Sequence, residues 1–210
     1  KHGGDDATPL QGELGGVWSQ SHEPTFDEHG TLLLNSKKFA LDLFYQHVDQ
    51  KNYTTSGFDS HHLLNDGTTH HIASLMQNRY KGYSHNVRLG MDYNFSKNHL
   101  LSLVYQLANT SGSSRQTTTG DIMSIADFKK HKWLHNLRLD YIAPFGLKAG
   151  AELTYYHNPS HENFQSTIPT GAMQVAVDNE QRVNRWRFYL AKEHQLKDGW
   201  GLNYGAIYNT

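Results

Sequence analysis

The chain of 210 residues contains no cysteine, no long apolar run and no excess charge of either sign. Without cysteine, it has neither a disulfide framework nor a thiolate metal site nor a cysteine nucleophile. No segment approaches the roughly 20 apolar residues that a membrane-spanning helix needs, and the first residues, KHGGDDATPL, lack the apolar core of a signal peptide. The 19 basic and 20 acidic residues are interspersed and sum to a net charge of −1. We therefore expect no nucleic-acid partner, because such a partner requires a basic surface.

The chain does contain a strong alternation of side chains. Residues 83–95 read YSHNVRLGMDYNF, in which every second residue is apolar, aromatic or histidine and the others are small or polar. Successive side chains of a strand point to opposite faces, so this segment predicts a strand with one apolar and one polar face. If the polar face is the one that contacts the surroundings, the protein is soluble in water. If the apolar face is, the surroundings are lipid. The mean hydropathy of −0.70 does not decide this, because transmembrane barrels also alternate lipid-facing and lumen-facing residues.

Segments with this period of two recur along the whole chain, and no stretch has a convincing helical period. We predict an all-β fold of nine strands, at residues 12–22, 30–36, 38–49, 80–95, 99–110, 130–143, 147–158, 182–195 and 199–210. Most of these segments exceed the ~5 to 6 residues of a usual soluble strand and suit the ~9 to 11 residues of a tilted transmembrane strand.

The predicted connections alternate strictly between short and long. Tight turns are expected at residues 36–38, 96–99, 144–146 and 197–199. These positions carry the Ser, Asn, Asp, Pro and Gly residues that turns require. Long polar stretches, predicted to be loops, occupy residues 50–79, 111–129 and 159–181. Because every second connection of an up-and-down sheet lies on the same side, the pattern predicts an antiparallel transmembrane β-barrel with short periplasmic turns and long extracellular loops.

Charged side chains are confined to one column of each later predicted strand. The apolar columns are free of Asp, Glu, Lys and Arg except for Lys192, which lies near a short turn and could snorkel to the interface. A charge at the lipid midplane costs ~2 to 4 kcal/mol, so a lipid-facing column should exclude it. The opposite columns carry Arg88, Asp92, Arg138 and Asp140. These four residues predict either an ion network that keeps a polar lumen ordered or contacts to a transported solute.

Aromatic residues occur near both ends of the predicted strands, as expected at two membrane–water boundaries. Toward the long-loop ends lie Tyr83, Trp133, Tyr155 and Tyr208, and toward the short-turn ends lie Tyr93, Phe95, Tyr141 and Trp200. A soluble periplasmic or secreted β-barrel that binds a small apolar ligand would show the same alternation and the same charge-free columns. The combination of long strands, one-sided long loops and aromatic residues at both ends favours the membrane interpretation.

Histidine is abundant, with 15 residues, and the pair HisHis occurs twice within one long polar stretch. His61, His62, His70 and His71 are candidate ligands for a metal or a haem, because neutral imidazole is a common nitrogen ligand for zinc and copper. The alternative is a polar loop in which histidine serves as an uncharged polar residue. The sequence defines no further ligand for such a site, so we assign neither a metal nor a cofactor.

Motifs of common enzymes are missing from the sequence. There is no G-x-S-x-G nucleophile elbow and no glycine-rich phosphate loop followed by Lys and Ser or Thr. Asp5 and Asp6 are adjacent in a glycine-rich leader, which fits solvated residues better than an acid–base pair. We expect no enzymatic activity, and an outer-membrane barrel enzyme stays open as an alternative.

Three stretches carry a resemblance to a known family. GMDYNFSKNHLLSLVYQ (90–106) and LHNLRLDYIAPFGLKAGAELTYYHN (134–158) resemble the strand–turn–strand units of outer-membrane β-barrels related to TonB-dependent receptors, especially those of gut-type Gram-negative bacteria. LQGELGGVWSQSH (10–22) is similar to the point at which such a receptor leaves its plug and enters its barrel. The resemblance covers most of the chain and rests on patterns rather than on invariant residues.

The family differs from this sequence in two respects. Its barrel has about 22 strands around a plugged lumen, whereas this sequence has no plug and nine predicted strands. Because bacterial single-chain barrels have even strand counts, we expect residues 1–210 to form a single segment from the N-terminal part of a larger barrel, with residues 1–10 as a flexible leader.

The resemblance also implies a function. It implies nutrient uptake across the outer membrane of a Gram-negative bacterium, with outer-membrane lipid around the barrel. Loops would capture a small solute, whose identity the resemblance does not give. A plug in the lumen would then be opened by an energy-coupling protein of the inner membrane.

Overall fold

The structure, a computed structural model, describes residues 10–168, 171–195 and 200–210, and nearly all of them belong to β-strands. The strands are β1 (Leu10–Gln20), β2 (Pro24–Asn35), β3 (Phe39–Leu63), β4 (Thr69–Ser96), β5 (His99–Gly120), β6 (Met123–Ile142), β7 (Leu147–Ile168), β8 (Gly171–Gln195) and β9 (Gly201–Asn209). Each strand pairs antiparallel with the next, so the sheet order is the chain order. The predicted all-β, antiparallel, up-and-down fold is therefore confirmed.

The sheet is open in the part of the chain that the structure describes. There, β1 and β9 each pair with one neighbour, as the edges of part of a barrel would. No helix in the described ranges has the length and apolar character needed to cross a membrane. Of the predicted leader, residues 1–9 lie outside the described residues, and Leu10 already belongs to β1.

The three predicted short turns that fall within the described residues lie where the sequence predicts them. At 36–38, the Ser36 hydroxyl accepts a hydrogen bond from the Phe39 amide at 3.0 Å, and Lys97 and Asn98 alone separate β4 from β5. At 144–146, Gly146 has a φ of 79°, a left-handed conformation that glycine adopts without strain. The predicted turn at 197–199 lies outside the described residues.

The prediction that residues 50–79, 111–129 and 159–181 form loops is wrong. These stretches, which we call the distal hairpins, continue the strands. Short turns at residues 64–68 and 121–122 interrupt the first two, and residues 169 and 170 of the third lie outside the described residues. As a result, β3 has 25 residues, β4 has 28 and β8 has 25. Neighbouring strands stay paired throughout, for example Arg115 opposite Asp127. Cross-strand pairing satisfies the backbone hydrogen bonds, so these stretches remain regular although most of their side chains are polar.

Very little of this sheet is buried. Among the described residues, Ala143 and Asn109 are the ones that are fully buried, and apolar side chains such as Leu139 and Phe188 stay about two-fifths exposed. A soluble barrel with an apolar interior would enclose rows of large side chains. The described part of the chain encloses no such centre.

Candidate functional site

The register gathers the apolar columns of neighbouring strands on one face of the sheet. Leu103 lies opposite both Met91 and Leu139, and Leu153 lies opposite Leu137 and Trp186. We call the resulting surface the apolar band. It comprises Leu41, Leu43, Val87, Leu89, Met91, Leu101, Leu103, Leu107, Leu137, Leu139, Ala149, Ala151, Leu153, Trp186, Phe188 and Leu190.

Aromatic and histidine side chains form the edge of the apolar band that faces the distal hairpins. The Tyr45 hydroxyl lies 2.9 Å from Nδ1 of His85, and the Tyr105 hydroxyl lies 2.8 Å from Nδ1 of His135. Trp133 stacks on His135 with a centroid distance of 5.9 Å. The histidines thus satisfy the tyrosine hydroxyls where the surface changes from apolar to polar.

The opposite edge, near the short turns, has the same composition. Nε2 of His99 lies 2.8 Å from the Tyr141 hydroxyl, and the His99 ring stacks on Phe95 at 4.3 Å. On β8 and β9, Nε2 of His194 lies 2.9 Å from the Tyr204 hydroxyl. Of the aromatic residues predicted at strand ends, Tyr208 differs, because it lies opposite Phe188, a residue of the apolar band, and not at either edge.

Beyond the distal edge, the same face becomes charged. Arg115 donates to both carboxylate oxygens of Asp127, at 2.7 and 3.0 Å. This hydrogen bonding lowers the pKa of Asp127 and raises that of Arg115. Glu23 accepts from Arg79 and lies 3.2 Å from Lys81, and its pKa is likewise lowered, chiefly by Arg79. The apolar band therefore ends at the row of tyrosine, tryptophan and histidine side chains, beyond which the same face is charged.

The other face of the sheet carries the four residues predicted to face a lumen. Arg138 and Asp140 are in contact, with Nε 2.7 Å from Oδ2. Arg88 and Asp92 have separate partners: Arg88 donates to Asp42 on β3 at 2.7 Å, and Asp92 accepts from a serine on β5, Ser102, at 2.6 Å. Neither partner can be predicted from the sequence, because each depends on the register between strands. That these charges contact a solute stays a prediction.

Three glycines on this polar face lie under tyrosine rings. A Cβ at Gly150 would lie 2.3 Å from the Tyr189 ring, and the Tyr189 hydroxyl reaches past Gly150 to donate to Asp140. Cβ atoms at Gly82 and Gly112 would each lie 2.5 Å from the hydroxyl of Tyr80 in the same way. Tyrosine side chains therefore pack across neighbouring strands at these glycine positions.

The structure divides the four candidate histidine ligands between the two faces. His61 lies directly opposite His71, and His62 lies directly opposite His70; adjacent residues of a strand point to opposite faces. His61 and His71 therefore lie on the face that carries the apolar band, and His62 and His70 lie on the other. The four histidines therefore form two separate pairs, one on each face, and do not converge on a single metal site.

Asp59 joins the first of these pairs. Its Oδ1 lies 2.8 Å from Nε2 of His71 and 3.6 Å from Nδ1 of His61. Asp59 is not predicted from the sequence, because the stretch around it is predicted to be a loop. In a strand, its spacing of two residues from His61 indicates a shared face. That His61 and His71 bind a metal stays a prediction.

Comparison with known proteins supports the fold and little else. Neither a protein-family model nor a curated protein matches the sequence. Among solved structures, the chain is similar to the ferric yersiniabactin uptake receptor FyuA from Yersinia pestis, with a TM-score of 0.52 and 9% sequence identity. The match covers 86% of this chain and 27% of the receptor, so the chain spans about a quarter of that protein's length. At this identity the likeness shows a common fold and no shared site.

Proposed function

We propose that the chain forms part of the wall of an outer-membrane β-barrel in a receptor of the TonB-dependent type that takes up a small nutrient. The apolar face would contact lipid, and the polar face would line the lumen. The observation that carries the proposal is the limited height of the apolar band, which occupies one section of much longer strands and has aromatic residues along both edges.

The height of the apolar band fits a membrane. On β4, the band and its edges run from Tyr83 to Tyr93. The ten rises of about 3.4 Å between these two residues span roughly 34 Å along a strand, and a tilt of about 40° reduces this to a height of roughly 26 Å. Outer-membrane barrels have an apolar belt about 25 Å tall. Beyond Tyr83, the same face carries Lys81 and Arg79, which suit the headgroup region and the water beyond it.

The charged side chains of the polar face fit a barrel lumen. Two of its charge pairs lie behind the apolar band: Arg88 with Asp42, and Arg138 with Asp140. Paired and hydrogen-bonded charges keep a polar interior ordered. In a receptor, Arg88, Asp92, Arg138 and Asp140 would be the groups that a solute meets inside the barrel.

The likeness to FyuA supports a role as part of a barrel wall, because the two chains have a similar fold. That protein is named as an uptake receptor for ferric yersiniabactin, and this favours nutrient uptake as the class of function, without indicating which nutrient this chain takes. Uptake of this type would also need a plug in the lumen and an inner-membrane energy-coupling protein. The proposal gives this chain no catalytic step.

Arginine substitutions on the two faces test the proposal. Leu103→Arg and Leu153→Arg should each prevent assembly into the outer membrane, because arginine at the lipid midplane costs ~2 to 4 kcal/mol. Ser102→Arg is the matched control: it is the neighbour of Leu103, and its side chain lies on the polar face beside Asp92. Membrane fractionation and heat-dependent gel mobility would measure assembly in each variant.

Two results would contradict the proposal. One is that the wild-type chain purifies as a folded monomer without detergent. The other is that Ser102→Arg impairs assembly as much as Leu103→Arg, because the two faces would then be equivalent.

A further inference from the structure

The tip of the β3–β4 hairpin brings three potential metal ligands together on one face. His61 and His71 are a directly opposed cross-strand pair, and their ring centroids are 4.5 Å apart. Asp59 lies two residues before His61 on β3 and therefore points to the same face. The ligating atoms of the three side chains all lie within 4.8 Å of one another.

These separations are close to those of a bound ion. Ligand atoms placed about 2.0 to 2.2 Å from a tetrahedral zinc lie roughly 3.3 to 3.5 Å apart. Asp59 Oδ1 is already 2.8 Å from His71 and 3.6 Å from His61. Small side-chain rotations would complete the geometry, and the backbone would not need to move.

The backbone at the tip holds these positions in register. The turn after β3 is closed by a hydrogen bond of 2.8 Å from the Leu64 amide to the Thr68 carbonyl. The Asp66 side chain accepts hydrogen bonds from the amide and the hydroxyl of Thr68, at 2.9 and 2.6 Å, and Gly67 adopts a φ of 81°. A fixed turn keeps His61 opposite His71, because hairpin register follows turn geometry.

We propose that Asp59, His61 and His71 bind a divalent transition-metal ion, with Zn²⁺ as the reference ion. Two imidazoles and one carboxylate are the donors that such ions prefer, whereas Mg²⁺ and Ca²⁺ prefer sites built from oxygen. This site does not depend on the barrel or uptake proposals, because it requires the β3–β4 hairpin alone.

The exposure of the three side chains indicates what kind of site this is. They are between half and two-thirds exposed, so a metal can enter and leave without opening the fold. Three protein ligands leave at least one coordination position for water or for a donor atom of another molecule. The site therefore suits reversible capture of a metal or of a metal-bound ligand, whereas a structural zinc site is closed by four protein ligands.

The second histidine pair offers a control of equal size. His62 and His70 oppose each other at the same tip on the other face, and the recorded partner of His62 is the Ser60 hydroxyl, at 2.5 Å. Replacing either pair removes two imidazoles from the same hairpin. Asp59, however, supports the His61–His71 pair alone.

The test is a calorimetric titration of ZnCl₂ into the full chain, in detergent or, if the chain stays folded without one, in plain buffer. We expect one bound equivalent for the wild type and for the His62→Ala/His70→Ala variant. The His61→Ala/His71→Ala variant should lose roughly tenfold or more in affinity, and Asp59→Asn should also bind more weakly, because each lacks a ligand. MgCl₂ and CaCl₂ should give no binding.

A second readout locates the ion. Zinc that joins β3 to β4 should slow hydrogen exchange of amides 59–71 in the wild type and in His62→Ala/His70→Ala, because a ligand that binds the closed hairpin stabilises it. His61→Ala/His71→Ala should show no such slowing. Absence of zinc binding by the wild type, or equal loss from the two double variants, would overturn the proposal.

Discussion

At the scale of single residues, Gly150 permits a contact that spans three strands of the polar face. In the register it lies between Asp140 on β6 and Tyr189 on β8. The Tyr189 ring passes over it, and the hydroxyl donates to Asp140. Because a Cβ at position 150 would lie 2.3 Å from that ring, an alanine there must displace the tyrosine and break the hydrogen bond.

Gly150→Ala and Tyr189→Phe should therefore remove the same interaction. We expect each variant to lower the free energy of unfolding by about 1 to 2 kcal/mol, because each loses a hydrogen bond to a carboxylate. The double variant should cost little more than either single change, since the bond can be lost once only. Urea unfolding of the four proteins in the same detergent or lipid gives the comparison.

Gly90→Ala is the control for this cycle. It also lies on the polar face, but a Cβ there would meet the Asp42 Cβ at 3.6 Å, an ordinary contact distance. It should therefore leave stability nearly unchanged. Fully additive losses from Gly150→Ala and Tyr189→Phe would show that the two residues do not act through one hydrogen bond.

At the scale of elements, the distal part of the β5–β6 hairpin is stabilised by a charge pair that acid should remove. Arg115 donates two hydrogen bonds to Asp127 and lowers the pKa of that carboxyl below its ordinary value of 3.8. A carboxyl with a lowered pKa in the folded hairpin stabilises it at pH values above the ordinary pKa. This contribution is lost as the pH falls through the lowered, folded-state value.

Hydrogen exchange should detect this loss. After correction for the intrinsic pH dependence of exchange, protection of amides 113–129 should stay constant between about pH 7 and 5 and decline below about pH 4. Asp127→Asn should already have lower protection at neutral pH, and its further decline in acid should be smaller. An acid response of Asp127→Asn equal to that of the wild type would contradict the assignment to this pair.

The elements also differ in how far the sequence predicts them. The apolar columns and the short turns are local signals, so Leu103 and Gly146 were placed correctly from their neighbours in sequence. The distal hairpins are mostly polar. Their regularity comes from pairing with a neighbouring strand, and this pairing cannot be deduced from the local sequence. The partners that depend on this pairing, Asp59 for His71 and Asp42 for Arg88, were missed for the same reason.

At the scale of the whole molecule, the proposed orientation assigns different membrane depths to Trp186 and Trp133. Trp186 lies opposite Leu153 within the apolar band, whereas Trp133 lies opposite His157 at the distal edge and stacks on His135. Tryptophan at an interface and tryptophan in the hydrocarbon region contact different parts of the lipid.

Single-tryptophan variants, made by replacing the other tryptophans with Phe, should report these depths after insertion into vesicles. Lipids brominated deep in the acyl chain should quench Trp186 more strongly than Trp133, and lipids brominated next to the headgroup should do the opposite. Acrylamide in the water should quench both weakly, because the band faces hydrocarbon. If acrylamide quenches both strongly and neither brominated lipid does, the apolar face does not meet lipid, and the barrel-wall proposal is wrong.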